Sequence, residues 1–467
     1  MVEPHVVVIG GGIAGLTAAY LAGADARVTL LEASGRLGGK LLAGEVGGVR
    51  VDLGAESMLA RRPEAVELAR QVGLAGALEP PSTAKAAIWT RSALRPLPGG
   101  QVMGVPGDLD ALAASGVLSE AGLDRVRHEM ATAPVGTDIS IGEYVAARLG
   151  REVVDRLVEP LLGGVYAGHA DEISLRAAVP ALLPVAQGGG SLLEGVHELA
   201  GRAKSTGPVF QGIEGGIGTL PEAVADACRK AGADLRTDSP VEELRRTPEG
   251  WRVVTGGETL YADAVVLAVP TPQAARLLDT EAPGAAAELR AVEYAGMALV
   301  TLAFRRADLT EPLSGSGFLV PPSDGRAIKA STFSSNKWGW LARSAPDTFV
   351  LRTSLGRYRE EKVLDLPDEE LVARSLADLG EAVGLRARPY DTAVTRWRSG
   401  LPQYPVGHLE RVQRIREQVA RVGSLAVCGA AYDGVGIPAC IASARRAVNE
   451  VLTPALGAHV REGTMGA

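Results

Sequence analysis

Hydrophobic spacing changes character several times along this 467-residue chain. Val6-Val-Val-Ile9 is continuously apolar, a run of helical spacing follows to about Ala22, and Val28-Thr-Leu-Leu31 is apolar again, so strand, helix and strand are predicted in succession. A proline opens a helix at Pro63–Arg70. From Asp108 to about Arg202 the period is helical; Ser140-Ile-Gly-Glu143 forms a capping box, and Ile141, Tyr144, Val145, Leu149, Val153, Leu157 and Val158 fall mainly on one face. Pro160 is expected to end that helix and leave glycine-rich 161–168 irregular. Phe210 to Gly218 reads as a further glycine-rich loop, followed by a helix to about Ala231. Short strands are predicted at 234–237 and 241–244, with a hairpin from Trp251 to Ala262 turning at Gly256-Gly257.

Val265 to Val269 is apolar throughout, as expected for a strand buried on both faces that returns to the first sheet. Strand patterns at Ala298–Phe304, Thr348–Thr353 and Ala393–Trp397, with a helix at Asp368–Val383, predict a second, mixed sheet within 271–421. The last elements are a strand from Ser424 to Cys428, a loop from Gly429 to Gly436, and a helix from Ile437 to about Leu452. Past Leu456 the chain is expected to fray. The length exceeds that of one ordinary core and predicts two or three domains in an α/β fold.

The first turn carries chemistry. Gly10, Gly12 and Gly15 are spaced G-x-G-x-x-G between a strand and a helix, and Glu32 closes the second strand, with Ala33 after it. In such a βαβ unit the glycines allow a tight turn, approach of a pyrophosphate, and close helix packing, while the acid accepts hydrogen bonds from a ribose. The phosphates would meet free N–H groups at the helix N-terminus. A second glycine turn follows directly, Gly35-Arg36-Leu37-Gly38-Gly39-Lys40, and then Val51-Asp-Leu-Gly54-Ala55-Glu56-Ser57. A nicotinamide dinucleotide has no need of that second turn, whereas a flavin dinucleotide has a long ribityl chain to line and phosphate charge for Arg36 to offset. G-R-x-G-G after the ribose acid resembles the FAD-binding motif of the amine-oxidase-like flavoprotein superfamily, so FAD is the expected cofactor.

A net charge of −7 offers no basic footprint and argues against nucleic-acid binding. Cys228, Cys428 and Cys440 have no disulfide or metal-ligand spacing, which fits a reducing compartment. The weakly polar run Tyr294–Phe304 is too short for a transmembrane segment, and the N-terminus enters a strand with no room for a cleaved signal. A soluble cytoplasmic protein is expected; peripheral membrane contact through an amphipathic face stays open. Arg61 and Arg62 leave the cofactor turns as either a solvated loop or an anion clamp.

Gly163-Gly-Val-Tyr-Ala-Gly168, the Phe210–Pro221 loop, Trp397-Arg-Ser-Gly-Leu-Pro-Gln-Tyr-Pro-Val-Gly-His408 and Tyr432-Asp-Gly-Val-Gly-Ile-Pro-Ala-Cys-Ile441 resemble segments of the protoporphyrinogen/coproporphyrinogen oxidases, in that family's order. The resemblance implies a Rossmann-type FAD-binding domain made from 1–60, 205–270 and 422–456, a mixed-sheet substrate domain from 61–107 and 271–421, and a helical domain from 108–204. It implies flavin contacts at Gly10, Gly12, Gly15, Glu32, Ala33, Arg36, Gly39, Lys40, Gly54, Ala55, Glu56, Ser57, Val241, Trp397, Gly429, Val435, Gly436 and Ile437. Gly164 would offer a carbonyl to pyrrole N–H groups, Arg62 lies near a position where a basic residue meets a propionate, and Tyr432 is a further lining candidate.

The implied reaction removes six electrons from a porphyrinogen in three steps, each reoxidised by molecular oxygen to hydrogen peroxide. A methylene between pyrroles is already activated, so shape and electrostatics suffice, and no catalytic triad or carboxylate pair is found. Arginine outnumbers lysine, as in high-GC Gram-positive bacteria, whose members use coproporphyrinogen III; protoporphyrinogen IX is the alternative substrate. An amine oxidase would share the flavin turns and could use Tyr404 and Tyr432 as an aromatic cage, but its usual lysine is missing from Ala298–Phe304. A porphyrin carrier would have no use for the flavin frame.

Overall fold

The computed structural model describes residues 3–203 and 207–464. Five parallel strands form the first sheet, in the order Asp234–Arg236, Arg27–Leu31, His5–Ile9, Ala264–Leu267, Leu425–Val427. Alternate side chains of a strand point to opposite faces. Val6 and Val8 therefore join one apolar cluster, with Leu16, Val224 and Ala444, while Val7 and Ile9 join another, with Leu277, Leu289 and Ile415. Both faces are covered, and that is why the sequence shows unbroken apolar runs here. Three helices of the second cluster, Thr271–Leu278, Pro283–Arg290 and His408–Val422, come from the stretch assigned to the second sheet but pack on the first.

The second sheet has seven strands, ordered Asp391–Pro402, Tyr294–Arg305, Thr348–Leu355, Ile328–Thr332, Gly317–Leu319, Ala86–Thr90, Ala93–Pro96. It is mixed: Gly317–Leu319 runs parallel to Ala86–Thr90, and the other pairings are antiparallel. Each predicted strand lies inside an observed one, and the helix Asp368–Val383 has the expected bounds. Two register shifts matter below. One lies between Ala295 and Met297 against the Asp391–Pro402 strand; the other leaves Lys329, between Ile328 and Ala330, without a cross-strand partner on Thr348–Leu355.

The helical region has its own core around Tyr144, Val145, Leu149, Leu157 and Leu162, and the Ser140 hydroxyl accepts the Glu143 N–H at 3.2 Å. The expected stop at Pro160 is corrected. A π-helical stretch, Val154–Val158, leads straight into a helix at Glu159–Tyr166 that contains Gly163 and Gly164. The widened turn makes room for the ring, and Pro160 stands in the first turn of the helix that follows, where its missing N–H leaves no bond broken.

Two further expectations change. Phe210–Ile213 is a strand, paired with Met58–Leu59 and Leu78–Glu79, so distant partners rather than local propensity define it. The last helix spans Ile437–Thr464, past its expected end at about Leu452. The expected boundary at 204–205 lies outside the described residues. No described helix is long and apolar enough to cross a membrane.

Candidate functional site

The first and last helices that cover the first sheet both start at the carboxyl edge of its parallel strands, where ligands of such sheets bind. Gly10 leaves its strand at φ +109°, with its N–H donated to the Leu31 carbonyl at 2.8 Å. A Cβ on Gly10 would lie 2.5 Å from the Ala268 carbonyl oxygen, and one on Gly15 would lie 1.8 Å from the Gly10 oxygen. Gly12 differs: the nearest atom to a Cβ there is Gly39 Cα at 4.0 Å. The two tight glycines weld strand to helix, and the open one leaves a surface that a ligand can approach.

The second turn stacks on the first. Gly38, at φ +103°, donates its N–H to the Gly11 carbonyl at 2.8 Å, and a Cβ on Gly39 would come within 3.0 Å of Gly12 Cα. Glu32 joins the corner together: Oε2 accepts the Gly11 N–H at 2.6 Å, and Oε1 accepts the N–H and hydroxyl of Ser34 at 2.9 and 2.7 Å. Ala33 lies between them. Ser239 donates its N–H to the Glu32 carbonyl at 2.8 Å, which brings buried Val241 to the same corner.

Arg36 donates to the Gly39 carbonyl at 2.7 Å, and its guanidinium is 6.0 Å from the Trp397 ring centre. Trp397 donates to the Leu53 carbonyl at 3.2 Å, and Ala55 donates its N–H to the Lys40 carbonyl at 3.1 Å. Burial holds the Lys40 ammonium below its ordinary range, and it has no hydrogen-bond or salt-bridge partner among the described residues. At the other end of the cleft, a Cβ on Gly429 would meet nothing within 4 Å, and Val435, Gly436 and Ile437 lead into the last helix. Ser57 is half-buried after the third turn.

Glu56 serves the protein instead. Its carboxylate accepts the Ser334 hydroxyl at 2.6 Å and lies 3.2 Å from Lys337 Nζ and 3.3 Å from Arg352 Nη2. Burial works to raise its pKa, but Arg352, Lys337 and Ser334 outweigh that and hold it at about 2. Nearby Asp52 goes the other way, pushed up to about 6 by burial and by Glu56 although it accepts the Ile217 and Gly218 N–H groups at 2.9 and 3.0 Å. Little in the sequence marks either Asp52 or Arg352: Asp52 ends the strand Val49–Asp52, which also carries Arg50, and Arg352 sits beside Thr353 and Ser354 in Thr348–Leu355.

On the expected substrate side, Gly164 lies in the last turn of its helix, so its carbonyl is one that the helix cannot satisfy. The nearest atom to a Cβ on it is Leu319 Cδ2, at 3.6 Å. Arg62 is exposed and paired with Glu64 at 2.8 Å. Tyr432 is only 3 % exposed, in the core beside Val412 and Leu425, so it contributes packing. Tyr404 is buried too, with its hydroxyl bonded to the Ala430 carbonyl and its ring stacked on His408 at 4.3 Å, so these two tyrosines form no open cage. His169 is bonded to Glu159 at 2.9 Å, and His408 is buried against Tyr404, where burial holds its imidazole pKa down at about 4.

The profile of the flavin containing amine oxidoreductases matches residues 13–452. The chain belongs to that family. Among its relatives, the coproporphyrinogen III oxidase of Mycobacterium tuberculosis is 39% identical, covering 97% of this chain and 98% of its own. The protoporphyrinogen oxidase of Bos taurus is 29% identical, covering 96% and 98%. A crystal structure of a candidate protoporphyrinogen oxidase from Exiguobacterium sp. 255-15 superposes with a TM-score of 0.86 at 34% identity, covering 97% of this chain and 99% of its own. The expected relationship to the porphyrinogen oxidases is thus borne out, as is the α/β flavoprotein fold.

The site fits the flavin of this family: open backbone at Gly12 and Gly429, a half-buried cation at Lys40 that is unpaired among the described residues, and two helix N-termini. The thiols beside it are poor nucleophiles. Burial pushes Cys428 far up, and Cys440 up to about 12. Acid precipitation of the purified protein is therefore expected to release the yellow chromophore; flavin retained in the pellet would reveal a covalent bond.

Proposed function

We propose that this flavin oxidoreductase binds FAD and oxidises coproporphyrinogen III to coproporphyrin III in the cytoplasm, as a step of haem biosynthesis. Six electrons and six protons leave the substrate, and three molecules of oxygen become three of hydrogen peroxide. The observation that carries the reading is the full-length 39% identity to a named coproporphyrinogen III oxidase, against 29% to a named protoporphyrinogen oxidase. The site is consistent with it. When bound, FAD supplies hydride acceptance. Glu32 would hold its ribose, the Gly12 and Gly39 turns its phosphates, and the N-terminus of the Ile437 helix would stabilise negative charge at the far end of the flavin. Gly164 would accept a pyrrole N–H beside the apolar Leu319. Residues 1–60, 205–270 and 422–456 would form the cofactor domain, apart from the added helices.

The test is turnover of each porphyrinogen, followed by porphyrin fluorescence and peroxide release, with simple amines as controls. A kcat/KM for coproporphyrinogen III at least about tenfold above that for protoporphyrinogen IX is expected, the size of one charge-assisted hydrogen bond. The reverse ratio would assign protoporphyrinogen IX, and turnover confined to amines would refute both.

A further inference from the structure

Lys329 is 5 % exposed and Arg357 7 %. Neither forms a salt bridge among the described residues; Lys329 Nζ donates to the Gly356 carbonyl at 2.9 Å and lies 3.9 Å from Met297 Sδ, and Arg357 donates to the Val320 carbonyl at 3.1 Å. Burial, and then the neighbouring Arg357 charge, lower Lys329 to about 7. Glu360 and Glu159 act on Arg357, but no acid offsets Lys329. A buried lysine that no acid offsets, with a second buried cation beside it, destabilises a protein that apolar residues of similar volume would fill better.

Their position gives them a use. Lys329 is the unpaired residue of a register shift, a device that re-aims a side chain. Its Met297 neighbour is the cross-strand partner of Trp397, on the flavin side. In the other direction, the Lys329 carbonyl accepts the N–H of Val320, next to Leu319 and hence to Gly164; the Tyr358 N–H bonds the Ala167 carbonyl at 2.7 Å, which fastens the Arg357 segment to the end of the Gly164 helix. The pair thus lies between Trp397 and Gly164.

We propose that Lys329 and Arg357 receive a carboxylate of the substrate on the buried side of the cleft, and that this is what selects a tetracarboxylate. The proposal rests on the porphyrinogen reading above. Coproporphyrinogen III carries one propionate on every pyrrole, so no orientation can bury two rings without burying a carboxylate. Protoporphyrinogen IX can turn both of its propionates to solvent and would leave the two cations unpaired, which is how a polar pocket rejects an analogue lacking the matching group.

The test measures binding of coproporphyrin III and protoporphyrin IX to the flavin-loaded protein by fluorescence quenching, for the wild type, Lys329→Met and Lys329→Arg. Lys329→Met should weaken coproporphyrin III at least about tenfold and protoporphyrin IX less than about threefold, Lys329→Arg should keep most of the affinity, and Lys329→Met should melt no lower than the wild type. Coproporphyrin affinity kept within about twofold, or both porphyrins weakened alike, overturns the proposal. So does unchanged porphyrin affinity with slower reoxidation of the reduced flavin by oxygen, which would assign Lys329 to the flavin. If the wild type oxidises neither porphyrinogen but binds coproporphyrin through Lys329, the functional reading falls and the cation pair stands; if it binds neither porphyrin, both fall.

Discussion

Gly15→Ala is expected to give a protein without flavin, or no soluble protein. The new Cβ would lie 1.8 Å from the Gly10 carbonyl oxygen and 3.2 Å from Ala268 Cβ. Overpacked cores usually cost about 1–3 kcal/mol because side chains shift aside. Here the obstruction is backbone, and Gly10 cannot retreat: it is pinned to Leu31 at 2.8 Å and itself close to Ala268. A loss above about 3 kcal/mol is expected, beyond that usual range. Gly201→Ala, in the helix Leu192–Ala203 where nothing lies within 4 Å, is the control and should stabilise by up to about 1 kcal/mol. Thermal unfolding and the ratio of flavin to protein absorbance decide; wild-type melting and flavin content in Gly15→Ala would refute the close-packed turn.

Glu56→Leu should be as damaging for an electrostatic reason. It leaves Arg352 and Lys337, 15% and 17% exposed, without their shared carboxylate. Breaking a buried pair from one side costs about 3–5 kcal/mol. Arg352 also donates to the Gly54 carbonyl at 2.7 Å, so loss of Glu56 should loosen the third glycine turn and weaken flavin retention. The pH dependence has a definite sign. The folded pKa of Glu56, about 2, lies below its ordinary 4.5, so its contribution is present above about 4.5 and is lost as pH falls toward 2. For Asp52, raised from 3.8 to about 6, the contribution is present below 3.8 and is lost as pH rises through 6. Glu56→Gln should therefore flatten the decline in melting temperature between pH 4.5 and 2 relative to the wild type, and identical slopes would contradict the assigned pairing.

The glycine turns were legible because their requirement is local: a positive φ or a missing Cβ can be read from residue type and spacing. So were strands whose burial shows as an apolar run and the helix Asp368–Val383, which follows Pro367 and precedes Gly384. What could not be read depends on partners far along the chain. Gly317–Leu319 is three residues long and owes its conformation to strands on either side. Helical Gly164 follows from a π turn that relaxes the proline rule. Glu56 looked like part of the cofactor turn and proves to be the counter-ion of Lys337 and Arg352, both nearly 300 positions away. Lys329, in the short strand Ile328–Thr332, and Arg357, just past the strand Thr348–Leu355, carry nothing in the sequence to say that both are buried.

The order of strands in the first sheet bears on how the protein is made. Among the described residues the segment Leu425–Val427 pairs only with Ala264–Leu267, and the last helix helps to cover the strands laid down first. During synthesis the earliest strands must wait, incompletely covered along one face, until more than four hundred residues have left the ribosome. Contacts so distant in sequence form slowly, and unpaired apolar edges invite aggregation in the interval. A cofactor that bridges the first glycine turn and the last helix would act as a clasp between the two ends of the chain, so the supply of flavin in the cell would govern how much of the newly made polypeptide survives.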